Sequence, residues 1–294
     1  ARAAQGTGGR VSLAGSGTAH NGACAVHYDT FGDPAQPTLL LVNGLGSQCI
    51  NYADEWCAMF AAEGLQVVRY DNRDVGLSSK FDDAPTDAGG AAYRVSDMVA
   101  DGIAVLDALG VAKAHVMGLS MGGMIAQNMA ILHPDRLLTM TSVMSSTGEA
   151  EYRKSTPRAA ELLTAAGATD RDGYVQQWVD GLREWGSPEF ADEARWREAA
   201  QRSFDRCFHP SGPARQFLAV LASGSWADHL PGVTVPTLVM HGDKDTLIDQ
   251  VGGRRTAELI PGARFELIEG MGHDYPPQLW RRWVDEVVGF IRSL

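Results

Sequence analysis

Ser120 stands in Gly118-Leu119-Ser120-Met121-Gly122, a Gly-x-Ser-x-Gly stretch between the apolar run His115-Val116-Met117 and a helix-prone segment over 120–133. Strand, tight turn and helix in that order suit a nucleophilic serine. The turn strains the backbone and lifts the hydroxyl above the sheet, and small residues on either side allow the close backbone approach. Gly123 adds one more small residue for packing of the helix. A serine hydroxyl is a weak nucleophile at neutral pH, so it needs a base within hydrogen-bond reach and a third group to orient that base. Among eight histidines, His273 is best placed: it follows the strand-like 265–268 through Glu269-Gly270-Met271-Gly272, a loop that delivers an imidazole to the carboxyl edge of a sheet. His27, His115 and His133 lie in or beside predicted elements, and His209 and His229 in or near a helical region, where structural roles fit better. For the acid, Val239-Met240-His241-Gly242-Asp243-Lys244-Asp245 ends a strand and turns sharply, offering the two carboxylates Asp243 and Asp245, with His241 as part of the turn.

These residues must be held by a regular scaffold, and the pattern around them supplies one. An edge strand is expected over 26–31 and a turn at Asp33-Pro34, followed by Thr38-Leu39-Leu40-Leu41-Val42, an apolar run of the kind buried on both faces of a parallel sheet. A helical stretch with Trp56, Met59 and Phe60 stops at Gly64 and leads to the strand 66–70; a helix over 95–109, the strand 115–117 and the strand 137–144 continue the alternation. Strand–helix repeats of this kind imply a mainly parallel, doubly wound sheet with right-handed crossovers. From about 145 to 229 the rhythm stops and the chain becomes helix-prone, with amphipathic stretches at 159–166 and 191–204, which reads as an inserted helical cap. After Pro236 the rhythm returns with the strand 237–240, a helix over 252–260, the strand 264–268 and a last helix over 277–291. The expected organisation is therefore a flexible Gly/Ala-rich tail or fraying strand at 1–22, an α/β core at 23–144 and 230–294, and a cap at 145–229.

Composition narrows the function classes. A net charge of −11, from 25 basic and 36 acidic residues without a basic cluster, argues against a nucleic-acid partner. The pairs Arg254-Arg255 and Arg281-Arg282 read as solvated helix faces, and Asp82-Asp83 as solvated loop charge. Cys24, Cys49, Cys57 and Cys207 form no CxxC pair and are expected as free thiols. No HExxH or other tight ligand cluster appears, and Gly44/Gly46 lack the third glycine of a dinucleotide loop, so neither a metal nor a cofactor is expected. No apolar run reaches the roughly 18 residues that span a bilayer, so no integral membrane segment is expected. A cytoplasmic location is the expectation, with secretion as the alternative because the chain starts at Ala1 rather than Met.

From about Ala25 to the C-terminus the chain resembles the α/β-hydrolase fold family, within it the capped carboxylesterase and lipase-like group, and more narrowly actinobacterial esterases and anthracycline methylesterases. The motifs that carry the resemblance are the Gly-Leu-Ser-Met-Gly turn, Arg69-Tyr70-Asp71-Asn72-Arg73-Asp74 with Gly76 and Ser78 after it, His241-Gly242-Asp243-Lys244-Asp245 and Gly270-Met271-Gly272-His273. Ser, acid and His occur in the chain order of that family. The resemblance implies Asp245 as the acid, with Asp243 the second choice, and Ser120, His273 and Asp245 as a catalytic triad. Met121, next to the nucleophile, would supply one oxyanion-hole amide; by resemblance Leu45, in Asn43-Gly44-Leu45-Gly46, would supply the other. Asn43 departs from the histidine usual there. The implied activity is cleavage of short- or medium-chain acyl esters or bulky methyl esters through an acyl-enzyme, with a small ester as the partner. The same triad also serves perhydrolysis of the haloperoxidase type, lactone opening and C–C bond hydrolysis, and a non-catalytic small-ligand binder is the reading from a different class. Epoxide hydrolases and dehalogenases carry Asp at the position of Ser120. Trp178, Trp185 and Phe217, with Trp196, Phe204 and Phe208, are the cap aromatics able to line an apolar pocket.

Overall fold

A computed structural model of the protein describes residues 13–84 and 90–294. Strands β1 (Leu13–Asn21) and β2 (Cys24–Phe31) form an antiparallel hairpin that turns through Gly22-Ala23, with Gly22 at φ +57°. Of the tail or fraying strand expected over 1–22, the described part is a strand and not a flexible tail. Leu13–Asn21 is a paired strand, held by backbone bonds to β2 with only Ala19 of its nine residues buried, so it carries no apolar alternation to read. Residues 1–12 of that tail lie outside the described residues.

The sheet continues with β3 (Thr38–Val42), then helix α1 (Asp54–Ala62), β4 (Gln66–Tyr70), α2 (Val95–Ala108), β5 (Ala114–Leu119), α3 (Met121–Leu132) and β6 (Leu137–Val143). Helices α4 (Pro157–Leu163), α5 (Arg171–Trp185), α6 (Glu193–Arg206) and α7 (Gly212–Ser223) follow, and then β7 (Thr237–Gly242), α8 (Gln250–Leu259), β8 (Arg264–Ile268) and α9 (Pro277–Arg292). The eight strands lie in the order β1-β2-β4-β3-β5-β6-β7-β8; β4, β3 and the four strands beyond β3 are mutually parallel, and β2 joins β4 antiparallel.

Every residue of β3, β4, β5 and β7 is buried, as a sheet covered on both faces requires. Because side chains alternate across a strand, Leu40 and Val42 enter one core with α2 and α3, while Leu39 and Leu41 enter the other with α1 and α9. In the second core Trp56 of α1 stacks on Trp280 of α9 at 5.6 Å between ring centroids. The expected mainly parallel, doubly wound α/β arrangement is the one observed, and the loops at the carboxyl ends of β3, β5, β6, β7 and β8 share one edge of the sheet.

Candidate active site

At that edge Ser120 bridges β5 and α3 with φ 55° and ψ −118°, a conformation L residues rarely adopt. It is held because its N–H donates to Val143 O (2.9 Å) and its carbonyl accepts from Gly123 N (2.9 Å) and Ser145 Oγ (2.8 Å). The flanking glycines are required by space: a Cβ on Gly118 would lie 2.0 Å from Gly122 O, and one on Gly122 would lie 2.1 Å from Val42 O.

His273 arrives on the loop after β8. Its Nε2 is 2.9 Å from Ser120 Oγ and its Nδ1 is 2.6 Å from Asp245 Oδ2. With Nδ1–H donating to the carboxylate, Nε2 keeps a lone pair for the serine hydroxyl. Asp245 is fixed in turn: its Oδ1 accepts from Leu247 N (2.9 Å) and Ile248 N (2.8 Å), and His241 Nε2 lies 3.3 Å from Oδ2. Burial alone would push the Asp245 carboxyl up, but the charge of His273 and hydrogen bonds from His241 and His273 hold it down to about 2. Asp243 sits apart from the imidazole. Its Oδ1 accepts from Gly270 N (2.7 Å), which braces the loop that carries His273.

The loop after β3 lies against the serine, since a Cβ on Gly44 would be 3.3 Å from Ser120 Cβ. Met121 opens α3, where a first-turn N–H has no intrahelical acceptor and where the helix dipole favours negative charge. Neither Leu45 N–H nor Met121 N–H finds an acceptor among the described residues. Asn43, in place of the usual histidine, donates from Nδ2 to Gln48 O (2.9 Å) and closes the turn itself.

The aromatics between β6 and β7 divide. Trp178 packs on Tyr174 (6.0 Å), which also meets Phe204 and Phe208, themselves 4.5 Å apart; these rings form a cluster within the helical insertion. Trp196 lines a cavity of about 380 Å³ with Leu182, Arg183 and Ser187, and that lining includes no member of the Ser120–His273–Asp245 group. Trp185 meets the site through its backbone, accepting from His273 N. Phe217 is half-buried one helical turn beyond Pro213, whose ring would lie 3.1 Å from a Cβ on Gly46, so both share the face of α7 over the loop after β3.

Residues 37–275 match the α/β-hydrolase fold family. The chain belongs to that family. The rhodomycin D methylesterases of Streptomyces peucetius and Streptomyces sp. strain C5 are 32% and 31% identical to it over 268 residues, covering 83% of this chain and 87% of each relative. Among solved structures, the enol-lactonase of Burkholderia xenovorans LB400 matches 94% of this chain and 100% of its own at a TM-score of 0.74 and 24% identity. The protein is thus an esterase-like α/β hydrolase.

Sequence reasoning missed the residues that hold the α/β hydrolase's site from outside the core. Gln216 of α7 accepts from Gly46 N (2.8 Å) and donates to Arg73 O (2.8 Å); Arg215 pairs with Asp74; Ser187 and Asp274 are joined beside His273. Only Asp74 had a local cue, in the Asp71-to-Ser78 motif. All four cysteines are free, three buried and Cys207 half-buried. His27, Cys49 and Asp71 come within metal-binding reach of one another, but Asp71 already accepts from Cys49 N, Leu77 N and Arg206, and burial pushes the Cys49 thiol up. The trio fits a charge-compensated network better than a cation site. No helix among the described residues is long and apolar enough to cross a membrane.

Proposed function

We propose that this α/β hydrolase cleaves carboxylic esters, with Ser120 as nucleophile, His273 as general base and acid, and Asp245 as the group that fixes the imidazole. Ser120 Oγ attacks the ester carbonyl while its proton passes to His273 Nε2; the oxyanion is met by the N–H groups of Leu45 and Met121. As the tetrahedral adduct collapses, the alkoxide leaves with the proton from His273 as an alcohol, and an acyl-Ser120 remains. Water then gives a proton to His273 and attacks the acyl carbon, releasing the acid and restoring the serine. The observation that carries this reading is the 2.9 and 2.6 Å chain from Ser120 Oγ through His273 to Asp245.

The helices α4–α7 form the cap, and Phe217, on the face of α7 that carries Pro213 over the loop after β3, is the cap aromatic we assign to an apolar wall of the pocket. The names of the two methylesterase relatives support esters with a small alcohol portion and a bulky acyl portion as one substrate class, and short or medium acyl chains are the other class that suits an apolar wall. Ser120→Ala is expected to abolish turnover of p-nitrophenyl acetate, and a fluorophosphonate should label Ser120 alone, read by mass spectrometry. Full turnover by Ser120→Ala would overturn the assignment. Phe217→Ala should flatten the rate profile across acetyl, butyryl and octanoyl esters; an unchanged profile would remove Phe217 from the pocket.

A further inference from the structure

The base loop is held from two sides. From the core, Asp243 accepts from Gly270 N and Lys244 N donates to Met271 O (2.9 Å). From the helical insertion, the tripeptide Trp185-Gly186-Ser187 at the end of α5 reaches each of the next three residues in turn. Gly272 N donates to Ser187 Oγ (2.9 Å), His273 N donates to Trp185 O, and Asp274 Oδ1 accepts from both Ser187 N (3.0 Å) and Ser187 Oγ. A Cβ on Gly272 would lie 2.4 Å from Trp185 O, so the two segments meet backbone to backbone. Ser187 is wholly buried and Asp274 is 7% exposed, which leaves water little means of replacing these bonds. An imidazole that must serve Ser120 Oγ and Asp245 at once has little positional slack, and three consecutive residues centred on it are tied to one tripeptide.

We propose that Ser187 and Asp274 are positioning residues for His273, and that through them the insertion sets where the catalytic imidazole stands. The inference rests on the triad reading above. Ser187 Oγ is both donor and acceptor in this joint: it gives its proton to Asp274 and takes one from Gly272. Removing it leaves Gly272 N–H without a partner and Asp274 with one bond in place of two, so the loop relaxes and the Nε2–Oγ geometry loosens while the substrate pocket keeps its walls. A displacement of this size acts on the chemical step, where misplacement by about 1 Å costs on the order of a hundredfold.

The test compares Ser187→Ala, Ser187→Thr, Ser187→Val and Asp274→Ala with the wild type on p-nitrophenyl butyrate, with kcat expressed per serine titrated by the fluorophosphonate. That normalisation counts only folded sites. Ser187→Ala and Asp274→Ala should lose about ten- to a hundredfold in kcat with KM within about twofold. Thr and Val have the same shape and differ in the hydroxyl, so Ser187→Thr should recover most of the rate and Ser187→Val should not. Equal rates for the Thr and Val variants, or a kcat per titrated site unchanged in Ser187→Ala, would overturn the proposal. A wild type that is neither labelled at Ser120 nor active would instead overturn the triad reading on which it rests.

Discussion

The Asp245 carboxylate is buried but accepts hydrogen bonds from two backbone amides and the His273 imidazole, with His241 Nε2 3.3 Å away, so folding stabilises its ionised form. Its pKa falls from 3.8 to about 2, and that difference corresponds to roughly 2 kcal/mol of stability. Because the folded value is the lower one, the contribution is complete above about pH 4 and is lost as the pH drops through about 2. In Asp245→Asn this component of the acid limb should vanish; urea midpoints for wild type and variant between pH 6 and 2 measure it, and parallel curves from pH 4 to 2 would refute the linkage. The same variant should lower kcat by about 10³- to 10⁴-fold, since an amide can hold the imidazole in the wrong tautomer. Ser120 itself carries a cost of position: its φ of 55° is maintained by bonds to Val143, Gly123 and Ser145.

At the scale of elements, the turn between β5 and α3 tolerates no side chain where its backbones cross. Gly118→Ala should destabilise the protein by about 3 kcal/mol, because its Cβ meets the Gly122 carbonyl in a part of the fold that cannot shift without moving α3. Gln216→Leu keeps α7 apolar but leaves Gly46 N–H and Arg73 O unpaired; a cost of about 2 kcal/mol or more in urea unfolding is expected, with a fall in kcat because Gly46 adjoins Leu45. An unchanged kcat would show that the loop after β3 holds itself. The legible elements were those whose burial is written in runs of apolar residues: β3 and β4 are buried throughout, and their bounds could be read directly. By contrast β1 packs almost nothing and exists by pairing with β2. Helix α7 was hidden for a physical reason, since Arg215 and Gln216 are buried polar residues placed where a periodicity search expects solvent. Ser187 had no local cue at all, its partner Asp274 being 87 positions away.

Across the whole molecule, the helical insertion is fastened to the core by ion pairs to buried acids. Arg206 of α6 reaches Asp71 at 2.8 Å, and Arg215 of α7 grips Asp74 with two bonds of 3.0 and 2.8 Å. Both acids belong to the loop after β4, which also borders the site. Asp74 stands at φ 71°, a strained position for a side chain, and is kept there by Arg215, Tyr93 Oη–H and Phe81 N. A molecule with net charge −11 thus places two of its 25 basic residues between layers, where each neutralises an acid that solvent does not reach. The energetic weight of such a pair lies in the asymmetry of breaking it: deleting one partner strands a charge, whereas replacing both leaves a neutral gap. Arg215→Ala should therefore cost about 3–5 kcal/mol, Asp74→Asn should also be costly, and the double variant should cost clearly less than their sum. Urea unfolding of the four proteins gives the coupling energy. Hydrogen exchange adds where the loss falls: if the pair fastens the insertion, amides of α7 should exchange faster in Arg215→Ala while those of β3 and β5 keep their protection. Additive costs, or protection lost uniformly across the sheet, would mean that the pair serves global stability and not the attachment of the insertion.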